Sequence, residues 1–296
     1  VTAPRFGVVD LGTNTIRLLV AALDDGRLEQ LDNAAAMTRL GAAIGPDGRI
    51  DEAKIAEVAD IVAGYVERAS LLGAADIRII ATSAAREAAN GEDLVEAVQR
   101  AAGLPLSIID EDEEARLAFF GALASLDEPW EGDVGVVDVG GGSTEIVVGS
   151  AADGVAWSRS FRLGSGRLAD RFLAHDPPHP GEIARARLLI QERLGDLEDM
   201  PHPAHGLAVA GSATNLRRMV GPLLDEESLD RALRLFAERP SSQIARQFGL
   251  MPDRARILPA GTLVLQEAMR RLGTPLWVGR GGIRQGALLE LAASLR

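Results

Sequence analysis

Phe6-Gly-Val-Val-Asp10-Leu-Gly12-Thr-Asn-Thr15 and Val134-Gly-Val-Val-Asp138-Val-Gly140-Gly-Gly-Ser-Thr144 are two versions of one pattern: an apolar run, an acid at its end, then a small polar turn. Such a turn is a set of donors for an oxyanion. Glycine lets an anion approach the main chain, and Thr13, Asn14, Gly141, Gly142, Ser143 and Thr144 offer backbone N–H groups with hydroxyl and amide donors. Asp10 and Asp138 stand where a hydrated Mg2+ would bridge carboxylate and substrate phosphate, because that ion takes few protein oxygens and keeps several waters. The two copies match without a gap from Gly7/Gly135 through Leu18/Ile146, an offset of 128 residues (10 to 138). One Gly-rich turn after a strand is common. Two in register, each resuming as an apolar run at 16–20 and 146–148, predict a duplicated phosphate-binding hairpin.

Three further groups extend this chemistry. Asp110-Glu-Asp-Glu-Glu114 is five acids opening a helix; they complement the helix dipole, and one of them is a candidate general base whose proton affinity its neighbours raise. Glu145 replaces Arg17 of the first copy, a carboxylate able to hold Mg2+ or polarise water. Arg86, in Ala81-Thr-Ser-Ala-Ala-Arg86-Glu87, lies just past an apolar run, at the usual ligand edge of an α/β sheet, as a phosphate clamp or an ion-pair partner of Glu87. Ala210-Gly-Ser-Ala-Thr214 repeats the small-residue turn, with Gly211 and Ser212 as anion donors at a helix start.

The elements that must carry these residues alternate between strands and helices, the pattern of an α/β layer architecture. A hairpin is expected at 6–23, a short strand at 36–40, a helix at 51–72, and strands at 77–81 and 106–109, with helices at 92–102 and 112–126. Residues 127–133 read as a joint. After the second hairpin, helices are expected at 181–194, 213–220, 229–238, 241–248, 261–272 and 287–295, and strands at 206–210 and 276–278. The terminal 281–286 segment reads as a glycine-arginine turn.

Composition narrows the function. The 296 residues suffice for two domains, and 47% hydrophobic with 25% charged residues describe a soluble globular chain. No run long enough for a membrane span and no signal segment is visible, so a cytoplasmic address without membrane partners is expected. Absence of cysteine excludes disulfides, thiolate catalysis and thiolate zinc sites. A net charge of −12 argues against nucleic-acid binding. Lysine occurs once, at Lys54, so positive charge is nearly all guanidinium, the better fork for phosphate oxygens.

Together these segments closely resemble the Ppx/GppA family, exopolyphosphatases and guanosine pentaphosphate phosphohydrolases of the sugar kinase, heat-shock chaperone and actin superfamily. The resemblance rests on the two turns, on Ala81-Thr-Ser-Ala-Ala-Arg86, Glu113-Glu-Ala-Arg-Leu117, Gly211-Ser-Ala-Thr214 and the terminal glycine-arginine turn. It implies an α/β fold of two actin-like (ribonuclease H-like) domains with a cleft between them, residues 1–126 plus 287–296 and residues 127–286. It further implies Mg2+, Glu114 as catalytic base, Glu145 as second catalytic carboxylate, Asp138 as metal ligand, and Arg86 and Asn14 on the phosphate removed. The implied substrate is inorganic polyphosphate, with guanosine pentaphosphate as the alternative, and a homodimer is plausible for the family. Arg39-Leu-Gly-Ala-Ala43 departs from the family's Arg-Leu-Gly-Glu-Gly, and the chain ends at Arg296, short of the extra C-terminal domains of longer members; short polyphosphates are therefore the expected substrates.

Overall fold

The computed structural model describes residues 3–24, 27–195, 197 and 199–294. The chain forms two compact units, Val1–Leu117 with Ile283–Arg296, and Ala118–Gly282.

The first unit opens with a three-stranded meander, β1 (Arg5–Leu11), β2 (Thr15–Asp24) and β3 (Arg27–Met37). A 3-10 turn (Leu40–Ala43) follows, then α1 (Glu52–Leu71), β4 (Asp76–Ala81), α2 (Ser83–Glu87), α3 (Gly91–Ala102), β5 (Leu106–Ile108) and the start of α4 (Glu111–Leu123). Helix α1 forms where helical spacing predicts it. Asp51 accepts a hydrogen bond from the Ala53 N–H, Ile55, Val58, Val62, Val66 and Ala69 make one buried stripe, and Gly73 ends the helix at φ +77°. The sheet runs β3-β2-β1-β4-β5, antiparallel within the meander and parallel from β1 through β5. Parallel pairing of β1, β4 and β5 brings the ends of all three, and the loops that leave them, to one edge.

The second unit repeats this plan. Its meander is β6 (Val134–Val139), β7 (Thr144–Ser150) and β8 (Gly154–Phe161), followed by α5 (Ser165–Phe172), α6 (Pro180–Leu194), β9 (His205–Val209) and α7 (Ala210–Val220). Strand β10 (Leu223–Leu224), α8 (Glu226–Glu238), α9 (Ser241–Phe248), α10 (Pro252–Leu272) and β11 (Leu276–Val278) complete it. The chain then returns to the first unit as α11 (Ile283–Ala293). Sheet order, read from the meander, is β8-β7-β6-β9-β11-β10, matching the first unit with one strand added. Even the irregularities correspond: the register shift at Val20/Ala21 recurs at Val148/Gly149, the same offset as the two aspartates. This is the actin-like α/β plan in both halves.

Several boundaries differ from expectation for identifiable reasons. Of the strand expected at 36–40, only 36–37 are strand, as the end of the eleven-residue β3; 38–39 belong to no element and Leu40 opens the 3-10 turn. β3 is an edge strand with no fully buried residue, so it lacks the alternation that marks a strand. Edge strand β8 is hidden the same way, with only Phe161 buried. Helix α5 is not among the expected elements, and α10 begins nine residues earlier than its predicted start at 261, because Pro259 reads as a breaker yet lies inside the helix. That helix is buried almost throughout, and packing supplies what the missing N–H removes. Helix α7 starts at Ala210 instead of 213, and α11 at Ile283 instead of 287. Among the described residues, no helix is long and apolar enough to cross a membrane.

Candidate active site

The turn between β6 and β7 is held by the start of α5. The Gly140 carbonyl accepts from the Ser165 N–H (2.9 Å) and hydroxyl (3.0 Å), that of Gly141 from the Gly166 (3.0 Å) and Arg167 (3.1 Å) N–H groups, and that of Gly142 from the Gly164 N–H (3.1 Å). Three consecutive carbonyls are thus committed to α5. Among the described residues, the N–H groups of Gly141, Gly142 and Ser143 donate to no backbone carbonyl in the turn. Successive N–H groups with their carbonyls turned away form an anion-binding nest. Gly164 permits this contact: a Cβ there would lie 2.2 Å from the carbonyl carbon and oxygen of Gly141.

Beside the nest, Asp138 and Glu145 are direct cross-strand partners. Glu145 is almost fully buried and accepts a hydrogen bond from the Ser160 hydroxyl (2.9 Å) on β8. Like charges directly opposite across a sheet repel. Two hard carboxylates with a hydroxyl nearby are suitable company for a divalent cation such as Mg2+. Among the described residues, no group of three or more His, Cys, Asp or Glu side chains forms a cage. A small protein donor set fits an ion that keeps its waters and takes oxygens from a phosphate substrate.

The first copy has the same backbone device with other charges. Gly12 N–H donates to Thr15 O (3.1 Å), as Gly140 does to Ser143 (3.0 Å). The Thr13 carbonyl accepts from Gly41 N–H (2.8 Å), and the Asn14 carbonyl from the N–H groups of Thr38 and Arg39 (both 3.0 Å). Arg39 adopts φ +51° to make this contact, a left-handed conformation uncommon outside glycine. The Asn14 side-chain N–H2 is buried and has no partner among the described residues, which leaves a donor for a ligand oxygen. Asp10 pairs across the strands with Arg17, and Arg284 on α11 reaches the same region, donating to Leu18 O and Asn33 Oδ1 (both 3.0 Å). Burial raises the Asp10 carboxyl above its ordinary value, against the pull of Arg17 and Arg284. Burial and then repulsion from Arg17 hold the Arg284 guanidinium down to about 10, against the pull of Asp10.

The five acids of α4 separate into distinct tasks. Asp110 caps the helix, its Oδ1 accepting from Glu113 N–H (2.8 Å), while Glu113 pairs with Arg78. Glu111 and Asp112 are exposed. Glu114 alone is buried; its Oε2 lies 3.1 Å from Arg86 Nη1, which also donates to Ile109 O (2.7 Å). Arg86 therefore comes from the segment after β4 and Glu114 from the segment after β5, both at the sheet edge where the β1 turn lies.

The sequence pattern of the Ppx/GppA phosphatase family matches residues 19–295. The chain belongs to the Ppx/GppA phosphatase family. Exopolyphosphatase 2 of Mycobacterium tuberculosis is 32% identical to it, the match covering 97% of this chain and 98% of that one. Exopolyphosphatase 1 of Mycobacterium leprae is 29% identical over 90% of this chain and 83% of the other. Among solved structures, the Aquifex aeolicus Ppx/GppA family member superposes with a TM-score of 0.83 at 26% identity, covering 99% of both chains. An exopolyphosphatase from Cytophaga hutchinsonii gives 0.88 at 23% identity, again over 99% of both, which speaks for the fold.

Membership in Ppx/GppA makes this chain a phosphoanhydride hydrolase and gives the residues around both turns their context. Thr144 begins β7 fully buried, and its hydroxyl proton goes to Leu163 O (2.9 Å), so it fastens the β8–α5 corner. Gly211 and Ser212 form the first turn of α7, where Ala210 takes φ +64°; the Ser212 hydroxyl donates to Val139 O (3.3 Å). Ser212 thereby ties the helix that follows β9 to the end of β6. Sequence reasoning missed Arg284 as the companion of Asp10 and Ser160 as the donor to Glu145. The first lies 266 residues from Leu18, and the second on an edge strand with no sequence signature.

Proposed function

We propose that this protein is an exopolyphosphatase that removes the terminal orthophosphate from inorganic polyphosphate with the help of Mg2+. The observation that carries the reading is the β6–β7 nest: three carbonyls tied back to α5, outward N–H groups, and an acid pair at its base. The terminal phosphate is taken up by the N–H groups of Gly141, Gly142 and Ser143, with the Asn14 amide and Arg86 as further contacts. Thr13, Thr144, Gly211 and Ser212 support the turns, and Asp138 with Glu145 would hold the metal. When bound, Mg2+ neutralises charge on the transferred phosphoryl group.

Glu114 orients water and takes its proton; the water oxygen bonds to the terminal phosphorus as the bridging P–O bond breaks. The shortened chain keeps the bridging oxygen, and orthophosphate leaves. Arg86, with Nη1 3.1 Å from Glu114 Oε2, holds the carboxylate in position. Glu114→Gln is expected to lower kcat by about 10²–10⁴ while circular dichroism and melting temperature stay near those of the parent. Phosphate release from defined polyphosphates measures it, with guanosine pentaphosphate as a parallel substrate. A fully active variant refutes the choice of base; release from the nucleotide alone refutes the substrate.

A further inference from the structure

A basin of about 400 Å3 lies in the second unit, between the end of β8, α5 and α6, and outside the nest. Its lining includes Arg162, Arg167, Arg171 and Arg193, with Ser160 and Leu189 among the rest, and holds no acidic residue. Four guanidiniums gather around one hollow, with Arg167 and Arg171 one turn apart on α5. In a chain of net charge −12 that concentration is conspicuous. Guanidinium forks match phosphate oxygens in geometry as well as charge. The aromatic ring in the lining, Phe161, is mostly covered, so little surface is offered to a stacked base.

From this we infer that the arginine basin binds a condensed phosphate anion, a second phosphate site built on β8, α5 and α6. The inference rests on the proposed function only for its choice of probe. Two fastenings connect the basin to the nest. Arg167 N–H bonds Gly141 O, and Ser160 on the rim donates to Glu145. An anion drawn into the basin acts on the strand and helix that hold the Glu145 carboxylate and the turn.

Binding of inorganic tripolyphosphate to the full chain in EDTA, where metal-assisted turnover is suppressed, tests the inference by titration calorimetry. The double variant Arg171→Gln/Arg193→Gln is expected to weaken at least one class of site tenfold or more. Arg234→Gln/Arg246→Gln, which removes the same charge from exposed positions on α8 and α9, is expected to change binding less than twofold. Unchanged binding in the first variant, or an equal loss in the second, overturns the site. Both pairs are exposed, and melting temperatures within a few degrees of the parent verify the fold.

Phosphate release with Mg2+ separates the two readings. A chain that releases none but loses tripolyphosphate with the basin pair keeps the basin and loses the hydrolase; intact release with unchanged binding does the reverse. The same assay distinguishes the source of the anion. If the occupant is the far part of the chain being hydrolysed, the basin pair raises KM for long polyphosphate and not for tripolyphosphate. If it is a separate anion, a non-hydrolysed condensed phosphate analogue changes the parent's rate on long chains and leaves the double variant's rate unmoved.

Discussion

Gly164→Ala tests the claim that α5 shapes the phosphate nest. The new methyl would sit 2.2 Å from the Gly141 carbonyl and 2.3 Å from Gly142 N, where ordinary contact begins at 3.4 Å, so the turn and the helix must part by about 1.2 Å. Both contacts are backbone, and no rotamer change relieves them. Strain of about 1–3 kcal/mol adds to the loss of about two of the turn's hydrogen bonds, each worth about 1 kcal/mol. The total is about 3–5 kcal/mol, a fall in melting temperature on the order of 10 °C. Displacing the nest by about 1 Å is expected to cost about 10²-fold in kcat as well.

Gly64→Ala supplies the contrast, because Gly64 lies within α1 with no neighbour within 4 Å of its would-be Cβ. That change should stabilise by about 0.5–1 kcal/mol and leave phosphate release alone. Thermal unfolding followed by circular dichroism, with a colorimetric phosphate assay on the folded fraction, reads both effects. A Gly164→Ala protein with the parent's melting temperature and kcat would refute the idea that α5 sets the turn.

Two further outcomes are expected. Burial alone would raise the Glu182 carboxyl, but hydrogen bonds from His175 and from the N–H groups of His179 and Ala174 hold it at about 2; its stabilisation is complete above the unfolded value of 4.5 and lost as pH falls towards 2. Glu182→Gln should therefore cost about 2 kcal/mol at neutral pH, and the gap from the parent should close on acidification, as unfolding titrations at both pH values would show; a gap independent of pH counts against the pairing. Mg2+ at about ten times its dissociation constant should stabilise the parent by about 1.4 kcal/mol, and Asp138→Asn should abolish that shift in thermal melts while Asp10→Asn retains it; the opposite pattern rejects the assignment of the metal to the second copy.

What could be read from the sequence was what is local. The duplicated hairpin declares itself through buried alternation and glycine, and α1 through its apolar stripe and Asp51 cap. All of β8 and all but the end of β3 escaped notice because an edge strand with one or no buried residue has no period to detect. Pro259 concealed the first half of α10, since a breaker's cost is local while the burial that offsets it comes from the whole second unit. At the candidate site the same division holds. Glu114 could be singled out from five acids only by the resemblance, whereas the structure separates it by its burial and its contact with Arg86, 28 residues away. Arg284 beside Asp10 is a tertiary fact, created when α11 returns to the first unit.

The duplication also explains how an acidic chain can handle polyanions. At the same register position, one copy sets Arg17 opposite its aspartate and the other sets Glu145. Around Asp10, Arg17 and Arg284 outnumber the single carboxylate. Asp138 and Glu145 set two carboxylates opposite each other, and a divalent cation held there, as proposed, would supply attraction for phosphate. Screening limits exposed charges to a range of about 8 Å at physiological salt, so the nearest groups, not the total of −12, decide what each turn attracts. One backbone device has thereby acquired two electrostatic characters through the residue across the strand, and the arginine basin beside the second copy extends the same local logic.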